Sequence, residues 1–446
     1  MASRTLRGIL AAAALALSAT PLSALGLIRD AEIEATLDRI AAPLYRAAGI
    51  SPGMIEILVV DDRSLNAFVV NNKAIFLHSG LITRLDTIAM LQSVIGHELA
   101  HITSGHLVRR SLNQASANSA IGIGVALAIA LAASGAGDAA SGVAFGAAGS
   151  AVRNYLSHTR AEEATADQVS VRYLVRAGVD PEASVQVLEI FRGQEALSIT
   201  RQDPYARTHP LSADRIRALK GQIAIYEGKE TAASADLVYW HARMQAKFRA
   251  FTGNPGYILR HIKPGDNSEA AIMTRAIAHY RQGDAGKAIG YMNQLLAKRP
   301  RDAFYHELKG QILLEDRQTA AAVASYRTAD QLLPRQSLIL AGYGRALLAL
   351  KTTAGDRQAL EVLNRARQID PRDARLLRDL AVAYAKAGNN GMASLVTAER
   401  YALLSRFDDA YTNANRAAGL LPRGSAGWLR AEDIIGVSKP LRKNRK

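Results

Sequence analysis

The 446-residue sequence has no cysteine. This excludes disulfides, thiolate metal sites, iron–sulfur clusters, cysteine nucleophiles and a lipobox-type acyl anchor, so any metal must rest on His, Asp and Glu. Aromatic residues are sparse at 6%. No Gly-rich phosphate loop and no Gly-x-Ser-x-Gly elbow occurs, which removes the commonest nucleotide and serine-hydrolase signatures. Long apolar runs are missing too: Ile9–Leu17 and Ile121–Ala133 both fall short of the roughly 20 residues that cross about 30 Å of hydrocarbon.

What is present points to a large folded chain. Hydrophobic residues make up 49% and charged residues 21%, enough to bury a core, and the length implies two or three domains. The net charge of +15 invites a nucleic-acid reading. Lys and Arg are nevertheless scattered along helical patterns, and the one dense run is Lys439, Arg442, Lys443, Arg445 and Lys446. The expectation is therefore no nucleic-acid partner and a solvated basic tail over 423–446, with weak peripheral contact to anionic membrane as its alternative use.

Arg4 and Arg7 precede the apolar stretch Ile9–Leu17, and the small residues Ser23, Ala24 and Gly26 follow. This is the pattern of a secretory signal peptide over 1–26, which implies export. Three regions follow it. Residues 27–230 mix helical periodicity with short strands at Ile55–Val60 and Ala67–Leu77, the latter broken at Asn71-Asn72-Lys73. Within them, 119–150 is rich in Ala, Gly and Ser and reads as a lid-like segment; after them, 231–267 reads as a linker helix region.

From 268 to 422 small residues recur at a fixed period. Pro300 and Pro334 are 34 apart, with Ala276 and Ala288, then Gly310, Ala322 and Ala329 in matching places, and Tyr326 as the larger packing residue. A third unit ends at Pro371 and fits if three residues are inserted in its inter-helix turn. Ala381, Tyr384 and Gly388 open a fourth, whose second helix also begins a last pair marked by Tyr401, Ala410, Ala417 and Pro422. These units resemble the tetratricopeptide repeat, a helix–turn–helix that stacks into an α-solenoid with a concave protein-binding surface.

The strongest chemical signal is Gly96-His97-Glu98-Leu99-Ala100-His101, inside a helix whose buried side carries Ile88, Leu91, Val94 and Ile95, with Asp86 as the expected N-cap. Residues four apart stand one turn above each other, so His97 and His101 can offer nitrogens to one ion while Glu98 stands beside it. In this arrangement the metal acidifies a water and Glu98 takes its proton as a peptide carbonyl is attacked. A third ligand is needed. Thr159 to Asp167 opens a second helix in which Glu163 and Asp167 share a face, so that one can ligate while the other accepts a hydrogen bond from a ligand histidine. Spacing alone leaves Glu162, Glu163 and Asp167 tied. His106 is five residues past His101, which turns it away from the ligand face, and it reads as structural. His78 and His158 carry no ligand spacing, and His241, His261, His279 and His306 read as surface residues.

The second motif, Glu163-x-x-Ala166-Asp167, resembles that of the gluzincins related to HtpX-like and CAAX-prenyl-protease-like zinc peptidases. The resemblance implies zinc on His97, His101 and Glu163, with Asp167 orienting a ligand histidine. It also implies that Ala67, Phe68, Val69 and Val70 form an edge strand that pairs with the substrate backbone. Arg207-Thr208-His209-Pro210 resembles the family's His-Pro segment, which implies that His209 either stabilises the oxyanion or sits in the open metal position as a latch. Arg215 reads as a structural salt-bridge partner.

The expected fold is mainly α, or α+β: a helical zincin domain with a small substrate-edge sheet, followed by an α-solenoid of tetratricopeptide repeats. The combination resembles exported members of the family, which implies a periplasmic zinc endopeptidase. Its clients would be misassembled outer-membrane β-barrel proteins and their assembly machinery, recruited by the repeats. The rival reading is a chaperone or scaffold whose zinc site is latched or dispensable.

Overall fold

The computed structural model describes residues 26–106, 159–198, 201–226 and 232–441. The signal peptide, but for Gly26, the lid-like segment over 119–150, His158 and the last five tail residues lie outside the described residues.

Four short strands form one sheet in the order β1-β2-β4-β3. β1 (Leu27–Ile28) runs antiparallel to β2 (Glu56–Val60), β2 runs parallel to β4 (Ala74–His78), and β3 (Ala67–Asn71) runs antiparallel to β4. Ala67 faces Leu77 and Val69 faces Ile75 across the hairpin. The Asn71 side chain accepts from the Lys73 N–H at 2.8 Å, and this Asx contact lets a turn without glycine close. β3 is left at the sheet edge.

Helix α1 (Ala31–Ala48) starts where Asp30 accepts the N–H groups of Glu32 and Ile33, and it ends at Gly49 with φ 71°. Its stripe of Ile33, Leu37, Ile40 and Leu44 joins one core with Val59, Val69, Ile75 and Leu77 from the sheet. α2 (Ser79–Arg84) leads to α3 (Ile88–Thr103), whose Leu91, Val94, Ile95 and Leu99 are 0–1% exposed in the same core. The N-cap of α3 is Thr87, whose hydroxyl accepts from Met90 N, and not the expected Asp86. The shorter side chain one residue later meets the free N–H. α4 (Arg160–Arg176) packs against α3, and α5 (Glu182–Ile190), α6 (Pro204–Thr208) and α7 (Ala213–Ile223) close that side.

Helix α8 (Ala235–Thr252) is more than a connector. Its Met244 and Phe248 enter the core that the sheet shares with α1 and α3, while Lys247 is 0% exposed and holds Asp30 at 2.7 Å and Glu32 at 3.2 Å. Arg243 pairs with Glu32 and with Asp302, and its guanidinium lies 3.8 Å from the Tyr305 ring centre. His241, expected at the surface, is only 7% exposed on this helix. α9 (Pro255–His261) then leads to the repeats.

The repeat helices are α10 (Glu269–Arg281), α11 (Ala285–Lys298), α12 (Ala303–Glu315), α13 (Thr319–Leu332), α14 (Ser337–Ala349), α15 (Thr353–Ile369), α16 (Ala374–Lys386), α17 (Asn390–Leu403) and α18 (Phe407–Leu420). The extra three residues of the third unit sit in α15, which has 17 residues where α13 has 14, and not in the turn before it. The turns 316–318 and 350–352 are equally long, so the added residues lengthen the N-terminal end of the helix, ahead of Ala359 and Ala366. Helical structure also runs past 422. α19 (Ala426–Ser438) packs Ala431 onto Ala417 and Leu395, covering an apolar end that a solvated tail would leave open. No described helix is long and apolar enough to cross a membrane.

Candidate active site

Helix geometry carries out the first step. His97 and His101 lie one turn apart on α3, and their Nε2 atoms stand 3.1 Å from each other. α4 crosses at this level and brings Glu163, with Oε2 at 3.3 Å from His97 Nε2 and Oε1 at 3.3 Å from His101 Nε2. Glu162 points elsewhere: it closes a capping box with Thr159 at the start of α4, and this separates it from Glu163 where spacing could not. Asp167, one turn on, places Oδ1 3.2 Å from His97 Nδ1. Of His97 and His101, it is His97 that it faces.

His209 follows α6 and is 0% exposed. Its Nδ1 lies 3.0 Å from Glu163 Oε1, and its Nε2 lies 3.3 Å from Glu98 Oε1 and 3.2 Å from the Ala67 carbonyl of β3. The ring is held in a column: Tyr205 lies 4.5 Å from it between ring centres, and Phe191 lies 4.7 Å from Tyr205. This column escaped the sequence reading, because nothing in the spacing of 191, 205 and 209 announces a stack. Arg215 joins both acids, at 2.6 Å from Glu163 Oε2 and 2.6 Å from Asp167 Oδ2. It is thus a salt-bridge partner with a wider reach than its motif suggested.

His106 is not part of the cluster of His97, His101, Glu163 and His209, yet it lies against one of its members. Its Nδ1 stands 2.9 Å from His101 Nδ1, and it is 2% exposed. The helical rotation that turns residue 106 away stops at Thr103. Gly105, at φ 68°, then sends the chain back, which only glycine does at low cost. A glycine two residues after the helix is the signal from which this could have been read.

The electrostatics follow from burial and these partners. Burial would raise the Glu163 carboxyl, but Arg215 and His209 hold it well below its ordinary value. Burial likewise opposes Arg215 at Asp167, where Arg215 wins and the carboxyl falls to about 2. At His97 burial disfavours the cation, yet the bonds to Asp167 and Glu163 push its pKa up to about 10. Burial dominates at His101 and lowers it to about 3. Glu98 is raised by burial against the pull of His209.

The donor set fits a metal ion. One atom from each of His97, His101, Glu163 and His209 lies within 4.8 Å of all the others, and all four residues are buried. Both Glu98 oxygens are buried and make no hydrogen bond, and Oε1 has His209 Nε2 beside it at 3.3 Å. Nitrogen and carboxylate donors in a set of three or four are those a borderline divalent cation takes.

A buried cluster of this kind on a helical peptidase-like scaffold defines a class, and residues 28–223 match the model of Peptidase family M48. This segment is thus similar to peptidase M48 domains. Over longer stretches the chain is similar to the beta-barrel assembly-enhancing protease of Escherichia coli K12, 25% identical over 418 residues that cover 93% of this chain and 85% of that one. It is also similar to the putative beta-barrel assembly-enhancing protease of Vibrio cholerae, 26% identical over 413 residues, 92% and 84% of the two chains. Protease HtpX of Xanthomonas oryzae is 36% identical over 78 residues, 17% of this chain and 26% of that one. Among solved structures, a thermophilic TPR protein of Thermus thermophilus is similar with a TM-score of 0.28 and 19% identity, covering 38% of this chain and 99% of that one.

Proposed function

We propose that the chain is a zinc-dependent endopeptidase of the periplasm that acts in the assembly and quality control of outer-membrane β-barrel proteins, with its repeats recruiting protein clients. In this reading 27–230 is the peptidase unit, 231–267 a linker, and the repeats run from 268 through α19. The observation that carries it is the buried convergence of His97, His101 and Glu163 beside the buried Glu98 carboxylate. The names of the relatives support the client class.

Zinc held by His97, His101 and Glu163 would supply Lewis acidity, polarising a carbonyl and acidifying water. Glu98 takes the proton of the attacking water on a carboxylate oxygen and passes it to the leaving amine; its raised pKa suits a group that must hold a proton between the two transfers. Asp167 fixes the His97 ring through Nδ1. Ala67, Phe68, Val69 and Val70 offer an edge strand to which a client backbone adds.

His209 favours a regulated form of this reading. With Nδ1 at Glu163 and Nε2 at both Glu98 and the Ala67 carbonyl, it touches at once the third ligand, the general base and the edge strand of this reading. A scaffold with a permanently latched site is the second reading that this contact favours. Casein cleavage by wild type, Glu98→Gln and His209→Ala separates them. The peptidase reading expects cleavage by wild type, a loss of at least about 100-fold in Glu98→Gln, and a changed rate in His209→Ala. No cleavage by wild type or His209→Ala would leave the scaffold.

A further inference from the structure

Two imidazoles that bind one ion from the same helix need their other nitrogens held as well, since a free ring rotates about χ2 and swaps tautomers. His97 has Asp167 for this purpose. For His101 the contact described above offers a histidine instead: the Nδ1 atoms of His101 and His106 stand 2.9 Å apart, and the ring centres lie 5.0 Å apart with planes at 70°. A separation of 2.9 Å between two ring nitrogens is a hydrogen bond, and one of the two must therefore accept.

The direction of that bond follows from what His101 does with its other nitrogen. Its Nε2 points into the cluster, 3.1 Å from His97 Nε2 and 3.3 Å from Glu163 Oε1. To ligate, Nε2 must present a lone pair, so a neutral His101 carries its proton on Nδ1 and donates there. His106 Nδ1 is then the acceptor, and the proton of His106 sits on Nε2. We infer that His106 is a positioning residue that fixes the orientation and tautomer of the metal ligand His101 by accepting its Nδ1–H.

The placement is built rather than incidental. His101 is 0% and His106 2% exposed, so bulk water is kept from replacing the acceptor, and a buried N–H left without one is disfavoured. The chain spends a left-handed glycine, Gly105, and ends α3 at Thr103 in order to return residue 106 to its own helix. The two ligand histidines therefore have unlike supports. Asp167 is a carboxylate locked by Arg215, whereas His106 is an imidazole that meets its ligand through a ring nitrogen.

The inference rests on the metal-site reading, and its test separates the two. Zinc affinity is measured for the full mature chain by competition with a chromogenic chelator, and the cobalt-substituted absorption spectrum and the metal-free melting temperature are recorded alongside. His106→Phe keeps a ring but no acceptor, while His106→Asn keeps an acceptor near Nδ1. The expected result is affinity about 10- to 100-fold weaker with an altered cobalt spectrum in His106→Phe, and affinity within about threefold of wild type in His106→Asn. If wild type takes up no zinc or cobalt, the metal reading falls and this inference with it. If wild type binds and both variants bind equally well, or both lose affinity together with the same fall in metal-free melting temperature, His106 only packs and the inference alone is overturned.

Discussion

Arg215 shows how much of the site depends on a residue that binds no substrate. It is 8% exposed, reaches Asp167 through two nitrogens and Glu163 through a third, and keeps both carboxylates ionised in a buried setting. Replacing it with Met leaves two buried negative charges with reduced compensation, a change that costs about 3–5 kcal/mol. In wild type the Asp167 pKa is depressed from 3.8 to about 2, so its contribution is present above pH 3.8 and is lost as pH falls towards 2. Chemical denaturation of metal-free Arg215→Met should therefore show a deficit of that size at pH 7. The deficit should shrink towards pH 4, as the orphaned carboxyls take up protons. A deficit independent of pH would mean that Arg215 acts by packing.

Helix periodicity made the shared face of His97 and His101 on α3 and the acidic face of α4 legible, because four-residue spacing has one geometric outcome inside a regular helix. What stayed hidden lay where regularity ends. His106 depends on a reversal at Gly105, the Phe191–Tyr205–His209 column joins separate segments, and the three extra residues of α15 fit turn or helix equally well by count. The covering helix α19 was masked by its closeness to the basic run. In the repeats, small residues were a reliable guide because two helices approach closely there. A Cβ on Gly342 would stand 2.5 Å from Tyr326 Cε1, and one on Gly310 would stand 2.8 Å from its Cδ2. Gly342→Ala should cost about 1–3 kcal/mol by thermal or urea unfolding. Combining it with Tyr326→Leu should give a double mutant less destabilised than the sum of the singles. Strict additivity would show that the two positions do not compete for space.

At the scale of the whole molecule, the peptidase unit and the repeats meet through charge as well as apolar contact. Asp30, Glu32, Lys247, Arg243 and Asp302 bind α1, α8 and α12 together, and Arg29 reaches Asp370 at 2.8 Å. Burial, with Asp30 and Glu32 nearby, pushes the Glu307 carboxyl of α12 up to about 7 against the pull of Lys247. A carboxyl raised from 4.5 in the folded chain opposes folding above pH 4.5, and the penalty is complete above pH 7. Glu307→Gln should accordingly raise the melting temperature at pH 8 and change it little at pH 4.5. Destabilisation at pH 8 would mean that the ionised Glu307 is needed to balance Lys247. Apolar periodicity showed both halves of this joint but not their junction, because which charges meet across it depends on three-dimensional proximity of residues up to 341 apart in sequence.

The claim on which the rest depends is that His97, His101 and Glu163 hold one metal ion beside Glu98. Metal content per chain by mass spectrometry, for wild type, Glu98→Gln and Glu163→Ala purified under one protocol, tests it most directly. The account predicts about one zinc per chain in wild type and Glu98→Gln, and a large loss in Glu163→Ala with the fold retained. Zinc retained equally by Glu163→Ala, or absent from wild type after zinc is supplied, would contradict it.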